Sequence, residues 1–432
     1  MSSMGLFLVV VGVHLVVQLW LMRRQLRHVL QHRQHLPAPL SGAITAEAHA
    51  KAADYTSAHT HLAIVRLVVG MALLLAWTLG GGLEVINRAI LELLGGEAAA
   101  AGRLAYPVLL LAVVTVISGL LDLPFDWYST FRIEQRFGFN RMGQGLWARD
   151  QALHFILAMV IELPLLAVVA WLMDAAGSGW WLWAFAVWSG FTLLLMFVYP
   201  QFIAPLFNEF KPLEDASLRE RVNALLQRSG FSARGFFVMD GSRRSAESNA
   251  YLTGLGRAKR VVFYDTLLQQ LSPAEVEAVL AHELGHDHHR HLPKTLAVLF
   301  ALSLAGFAAL GWLAAQPQFY LALGVTPNAS ASNSALALLL FLMLLPLGST
   351  AGSLVANRFS RRHEFEADAY AARHSSAADL STALIKLTDA NASTLTPDPQ
   401  YVRFNYSHPP LLDRLAALTA AAPPPVAGVK AP

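Results

Sequence analysis

Apolar residues in this chain fall into long runs instead of alternating or recurring singly. Seven windows of 18 or more residues are almost wholly apolar: 4–22, 62–82, 104–121, 152–173, 180–199, 294–315 and 335–357. A run of that length spans the hydrocarbon core of a bilayer as a helix. Glycines 80–82 dilute the second window, and Pro346, Ser349, Thr350 and Ser353 interrupt the seventh. Neighbouring helices can satisfy such breaks. The first window lacks a basic stretch before it, carries Arg23, Arg24 and Arg27 after it, and has no small-x-small cleavage site. It reads as an uncleaved anchor with the N-terminus outside.

Between and after these runs the pattern changes. Residues 236–239, 249–255 and 260–265 are β-type runs punctuated by Gly241, Gly254 and Gly256, which predicts a small antiparallel sheet. Ser272, Pro273 and Glu275 then form a capping box with proline at the first helical position. The helix they start is expected over 273–291, ending before Pro293.

Composition supports a membrane protein. Of 432 residues only 14% are charged, against about 25% in ordinary soluble domains, and mean hydropathy is +0.44. A net charge of +3 could suggest nucleic acid, but that requires a basic face on a soluble domain. Here the basic residues follow the spans. Thirty of the 32 Lys and Arg fall in the four segments that a seven-span chain with its N-terminus outside leaves in the cytoplasm. Only Arg88 and Arg103 fall outside. Nucleic acid is thereby excluded as a partner, and the lipid bilayer becomes one. The chain has no cysteine, so any metal must be held by His and carboxylate.

The predicted helix carries His282-Glu283-Leu284-Gly285-His286. Residues i and i+4 share a helix face, so two imidazoles can hold one Zn²⁺ while Glu283 reaches a water beside it. Tetrahedral zinc then needs a third protein ligand. Glu364 and Asp368, spaced i, i+4 just after the seventh window, suit this. One can bind the metal, and the other can accept the free ring N–H of a ligand His. Glu366 points to another face. His288, His289 and His291 are expected as solvated residues near the membrane surface. Asn249, on a sheet edge that could clamp extended peptide, offers a side-chain amide. His408, and Arg414 on a helix started by Pro409-Pro410, could stabilise an oxyanion, although Arg414 could equally pair with Asp413. His14, Gln18, His154 and Glu162 lie in or near spans, where polar groups usually face an interior or cavity.

These residues resemble a known family, the zinc-dependent, seven-span CAAX prenyl proteases of type 1. Beyond the zinc motif, the likeness includes Leu123-Pro124-Phe125, residues 130–134, Gly138-Phe139-Asn140 and residues 199–207. It continues through residues 241–244, Ser248-Asn249-Ala250-Tyr251, residues 262–268, and Ser407-His408-Pro409-Pro410 with Arg414. The resemblance implies an all-α polytopic membrane protein, with seven transmembrane helices around an intramembrane chamber. A small α+β zinc-metalloprotease region would lie on the cytoplasmic side. It implies one zinc per chain on His282, His286 and Glu364, with Glu283 as base and Asp368 behind a ligand. Asn249, His408 and Arg414 would contact substrate or the transition state. The implied substrate is a peptide or protein bearing a prenylated C-terminal Cys.

The expected organisation is 1–199 as spans one to five, 200–293 as a catalytic segment, and 294–357 as spans six and seven. A second catalytic segment covers 358–422, and 423–432 form a disordered tail. If the source is bacterial, the membrane is the inner one. Two rivals remain open at this point. One is a membrane-protein quality-control zinc protease without a prenyl requirement, which usually has fewer spans and lacks the 124–140 motif. The other is a non-enzymatic transporter with an incidental metal site, which has no need of Glu283.

Overall fold

A computed structural model describes residues 2–231, 235–254 and 259–421. The expected tail, 423–432, and Leu255 and Gly256 of the sheet region lie outside the described residues.

All seven apolar windows are helices: Ser3–Gln31, Ala46–Trp77, Ala105–Phe137, Gln144–Ala175, Gly177–Phe207, His291–Ala314 and Ser334–His374. Side-chain caps start the first two. Ser2 Oγ accepts from Gly5 N at 3.1 Å, and Thr45 Oγ1 accepts from Ala48 N at 3.1 Å. Several helices outrun their apolar windows, and the seventh continues unbroken into the segment carrying Glu364.

At one end the bundle is closed by a packed apolar core in which Leu83, Tyr106, Leu110, Ala184, Leu336 and Leu340 are fully buried. The connection after span six is tied into this end. Asn87 donates to Asn328 Oδ1 at 2.9 Å, and Glu97 Oε2 accepts from Ala329 N and Ser330 N at 2.9 Å. Elsewhere only 6–33% of each span's most apolar window is buried within the protein. Most of each span's surface therefore faces either lipid or open space.

The walls of that space are largely apolar, with polar side chains set among them. A cavity of about 870 Å³ is lined by residues of spans three, four and five together with Met142, Asn208 and Arg244. Each of those spans contains a π-helical segment: Ser129–Glu134, Ala158–Glu162 and Tyr199–Ile203. All three segments contribute to this one cavity. A π-bulge inserts an extra residue into the helix, and such bulges concentrate at functional sites. His154 and Glu162 line the cavity, while Gln18 donates to Thr350 between spans one and seven at 2.8 Å. Polar groups in the spans therefore do face the interior.

The sheet differs from expectation. Among the described residues it has four strands in the order β1-β2-β4-β3: β1 Phe210–Pro212, β2 Gly235–Met239, β3 Ala250–Thr253 and β4 Arg260–Tyr264. β2 and β4 pair in parallel, so the sheet is mixed and not wholly antiparallel. The hairpin partner of β4 is β3, which leaves β4 inside and β3 at an edge.

Behind the sheet, the capping box at Ser272 and Glu275 opens the helix Pro273–His288 as expected. The helix falls short of the expected residue 291. It stops at His289, Arg290 takes a left-handed conformation (φ 54°), and span six begins at His291 with Pro293 in its first turn. A second apolar core, including Phe263, Val276, Leu280, Leu284 and Tyr370, fixes this helix against the sheet and span seven.

Candidate active site and metal centre

Two helices build the centre. His282 and His286 project from Pro273–His288, and Glu364 from the far end of span seven. Gly285 lets the helices meet. A Cβ there would lie 2.8 Å from Ala367 Cα and 3.0 Å from both Ala367 O and Tyr370 Cβ.

The donor atoms converge. His282 Nε2 and His286 Nε2 are 3.2 Å apart, His282 Nε2 is 3.5 Å from Glu364 Oε2, and His286 Nε2 is 3.4 Å from Glu364 Oε1. A tetrahedral ion with bonds of about 2.0–2.1 Å, as zinc forms, places its ligand atoms about 3.3 Å apart. Among the described residues, buried Glu364 Oε2 has no hydrogen-bond partner. A buried carboxylate oxygen without a partner is costly, and a cation beside it removes that cost. The three residues therefore fit a metal.

The ring tautomer of His282 is set from behind. Its Nδ1 lies 2.8 Å from Asp368 Oδ1, which leaves Nε2 directed at Glu364. Arg414 donates from Nε and Nη2 to the two Asp368 oxygens at 2.8 and 2.6 Å. Asp368 is thus the partner that Arg414 takes, not Asp413. Its Nη1 lies 3.8 Å from Glu364 Oε2. Burial opposes charge on His282, but the bond to Asp368 and the nearby Glu364 carboxylate outweigh it and raise the pKa to about 9.

Glu283 faces a cleft of about 430 Å³ together with Asn249, His408, Arg414 and Tyr406. Burial pushes the Glu283 carboxyl up from its ordinary value, against the pull of His282 and His286. His408 is exposed, with Nε2 3.4 Å from Glu364 Oε1. Asn249 precedes the edge strand β3, and its main-chain oxygen accepts from Tyr264 N at 3.0 Å. The lead-in is held by Asn391, whose Oδ1 accepts from Ser248 N at 3.0 Å. A cavity of about 640 Å³ shares Asn391, Ser393, Thr394 and Tyr406 with this cleft, so the two lie side by side.

All eight residues singled out in the sequence, from Asn249 to Arg414, gather at this centre. Two others were missed. His291 is not solvated: it is 4% exposed and contacts His286. Glu366 does point away from the metal, and it pairs with His291. The one hint in the sequence is the proximity of His291 to the motif; its burial depends on the chain reversal at Arg290.

Residues 25–209 match the family described as CAAX prenyl protease N-terminal, five membrane helices, and residues 212–422 match peptidase family M48. The CAAX prenyl protease 1 homolog of Oryza sativa subsp. japonica is 33% identical over 407 residues, which is 90% of this chain and 93% of that protein. CAAX prenyl protease 1 of Saccharomyces cerevisiae is 36% identical over 321 residues, 71% of each chain. The crystal structure of S. mikatae Ste24p superposes with a TM-score of 0.89 at 30% identity, covering 97% of this chain and 99% of that one. With its multi-span membrane scaffold and its clustered His and Glu donors, the chain belongs to the M48 metallopeptidases of CAAX prenyl protease 1 type, membrane-embedded endopeptidases.

Proposed function

We propose that His282, His286 and Glu364 hold one zinc ion, and that Glu283 is the general base for hydrolysis of a peptide bond near a prenylated Cys. The observation that carries this reading is the convergence of three donor atoms within 4.8 Å of one another, on the wall of a cleft that Glu283 shares with Asn249, His408 and Arg414. Zinc in such a site supplies Lewis acidity, polarising the scissile carbonyl and acidifying water.

The chain's own groups do the rest. Substrate lies extended against the free edge of β3, with Asn249 hydrogen-bonding its backbone. Glu283 takes the proton of the attacking water and delivers it to the leaving amine. A raised carboxyl pKa suits both transfers. Arg414, fixed by Asp368, and His408 donate to the oxyanion of the tetrahedral intermediate.

Residues 1–199 and 294–357 act as the membrane scaffold, and 200–293 with 358–422 supply the site. The scaffold sits with its N-terminus outside and the site in the cytoplasm. The substrate class follows the names of the relatives, and interior space beside the cleft suits a peptide with a lipid attached.

The test is zinc analysis of the purified protein together with cleavage of a farnesylated C-a-a-X peptide and its unlipidated counterpart. We expect one zinc per chain and cleavage of the farnesylated peptide. For Glu283→Ala we expect unchanged zinc and kcat lower by about 10²–10⁴-fold. No cleavage of either peptide by zinc-loaded protein sinks the protease reading. Equal cleavage of both removes the lipid requirement and favours quality control.

A further inference from the structure

We propose that His291 and Glu366 form a positioning relay that fixes the ring of the metal ligand His286. The proposal rests on the metal-site reading above and concerns residues behind the ligands. His286 Nδ1 lies 3.0 Å from His291 Nδ1, and His291 Nε2 lies 3.0 Å from Glu366 Oε2. Glu366 Oε1 in turn accepts from Arg362 Nε at 2.9 Å.

Proton counting gives this chain of contacts a direction. An ionised carboxylate only accepts, so His291 donates its Nε2–H to Glu366. A neutral imidazole has one N–H, so His291 Nδ1 is then an acceptor. It can be satisfied only if His286 carries its own proton on Nδ1. That leaves the lone pair of His286 on Nε2, the atom that faces His282 and Glu364. Glu366 thereby selects the metal-binding tautomer of a ring it does not touch. Without it, His291 is free to place its proton on Nδ1, which drives the His286 proton onto Nε2.

Three further features hold the relay. The His291 ring is buried and stacks on His363, with centroids 3.9 Å apart and planes at 12°. The left-handed turn at Arg290, a conformation rare for a residue with a side chain, directs the chain so that His291 returns to His286. The arrangement also parallels the other ligand, where His282 Nδ1 meets Asp368 and Asp368 meets Arg414. Each ligand ring is thus backed by a carboxylate that an arginine holds, directly for His282 and through a second imidazole for His286. Partners behind ligand histidines typically contribute 10- to 100-fold in metal affinity.

The experiment follows metal loss from the zinc-loaded full chain to a chromophoric chelator, with the visible spectrum of the Co²⁺-substituted protein as a second readout. His291→Ala and Glu366→Ala should release metal about 10- to 100-fold faster than wild type, with an altered Co²⁺ spectrum. Glu366→Gln, whose amide oxygen still accepts from Nε2–H, should restore slow release. His288→Ala, at an exposed histidine without contact to a ligand, should match wild type. Release from His291→Ala and Glu366→Ala at the wild-type rate overturns the relay. So does Glu366→Gln behaving like Glu366→Ala, or His288→Ala behaving like His291→Ala. A wild type that takes up no metal overturns the site reading and the relay with it.

Discussion

At His282 a proton and a metal ion compete for one nitrogen. The metal-free ring is buried, which disfavours charge, yet Asp368 and Glu364 hold its proton up to about pH 9. Metal binding at Nε2 must displace that proton. As pH falls below about 9, the protonated fraction grows, and metal affinity should fall about tenfold per pH unit. A chelator-competition titration at several pH values reads this directly, and a Kd that stays flat across the range contradicts it. In the metal-free protein the same upward shift gives stability the opposite pH dependence. The folded pKa lies above the unfolded 6.5. The contribution of charged His282 to stability is therefore complete below about 6.5 and lost as pH rises through about 9. His282, Glu283 and His286 were legible in the sequence because helical spacing alone aligns them, whereas spacing left Glu364 and Asp368 interchangeable and only the family resemblance chose Glu364. His291 and Glu366 were not, because their meeting depends on the backbone reversal at Arg290, and no side-chain pattern encodes a left-handed arginine. Arg414 was half legible: its position on a short helix was readable, its choice of Asp368 over Asp413 was not.

At the level of elements, the centre exists because two helices approach closely enough for Glu364 to reach both histidines. Gly285 permits that approach, since a Cβ there would stand 2.8 Å from backbone Cα of Ala367. Gly285→Ala therefore sets two effects against each other. Alanine favours the helix by about 1 kcal/mol, whereas overpacking costs about 1–3 kcal/mol. Backbone atoms cannot swing aside as a flexible side chain does, so the clash wins. We expect lower thermal stability in detergent and, as the helices separate, metal binding weaker by more than about tenfold. A variant of higher stability with wild-type metal binding would show that this contact does not set the site. The glycine was visible in the motif, but its reason was not, since it lies in a helix 82 positions away by number (285 to 367). The sheet shows the same limit. Periodicity located three strands, yet strand order comes from where the chain re-enters. Residues 240–249 pass around the sheet, β3 and β4 pair as a hairpin, and β4 is left beside β2 in parallel. β1 is three residues long and ends in Pro212, below what alternation can detect.

Across the whole molecule, the seven spans were readable because each must present an unbroken apolar surface to lipid. The interior space was legible only through polar residues within the spans, such as His154 and Glu162, since a residue facing lipid and one facing a chamber wall can be equally apolar. Orientation is the remaining molecular property the charges address. With 30 of 32 basic residues in one set of segments, the side holding the sheet and the metal centre should be cytoplasmic. The chain has no cysteine, so any introduced one is a single reporter without background. Ser330 is exposed in the connection tied to Glu97, and Glu220 is exposed on the helix before β2. In intact cells a membrane-impermeant maleimide should label Ser330→Cys at once and Glu220→Cys only after permeabilisation. The reverse order would place the site outside. The two positions lie in segments separated by an odd number of spans, so both cannot be labelled from one face unless a span fails to cross. Labelling of both in intact cells would therefore contradict the seven-span path itself, not merely its direction.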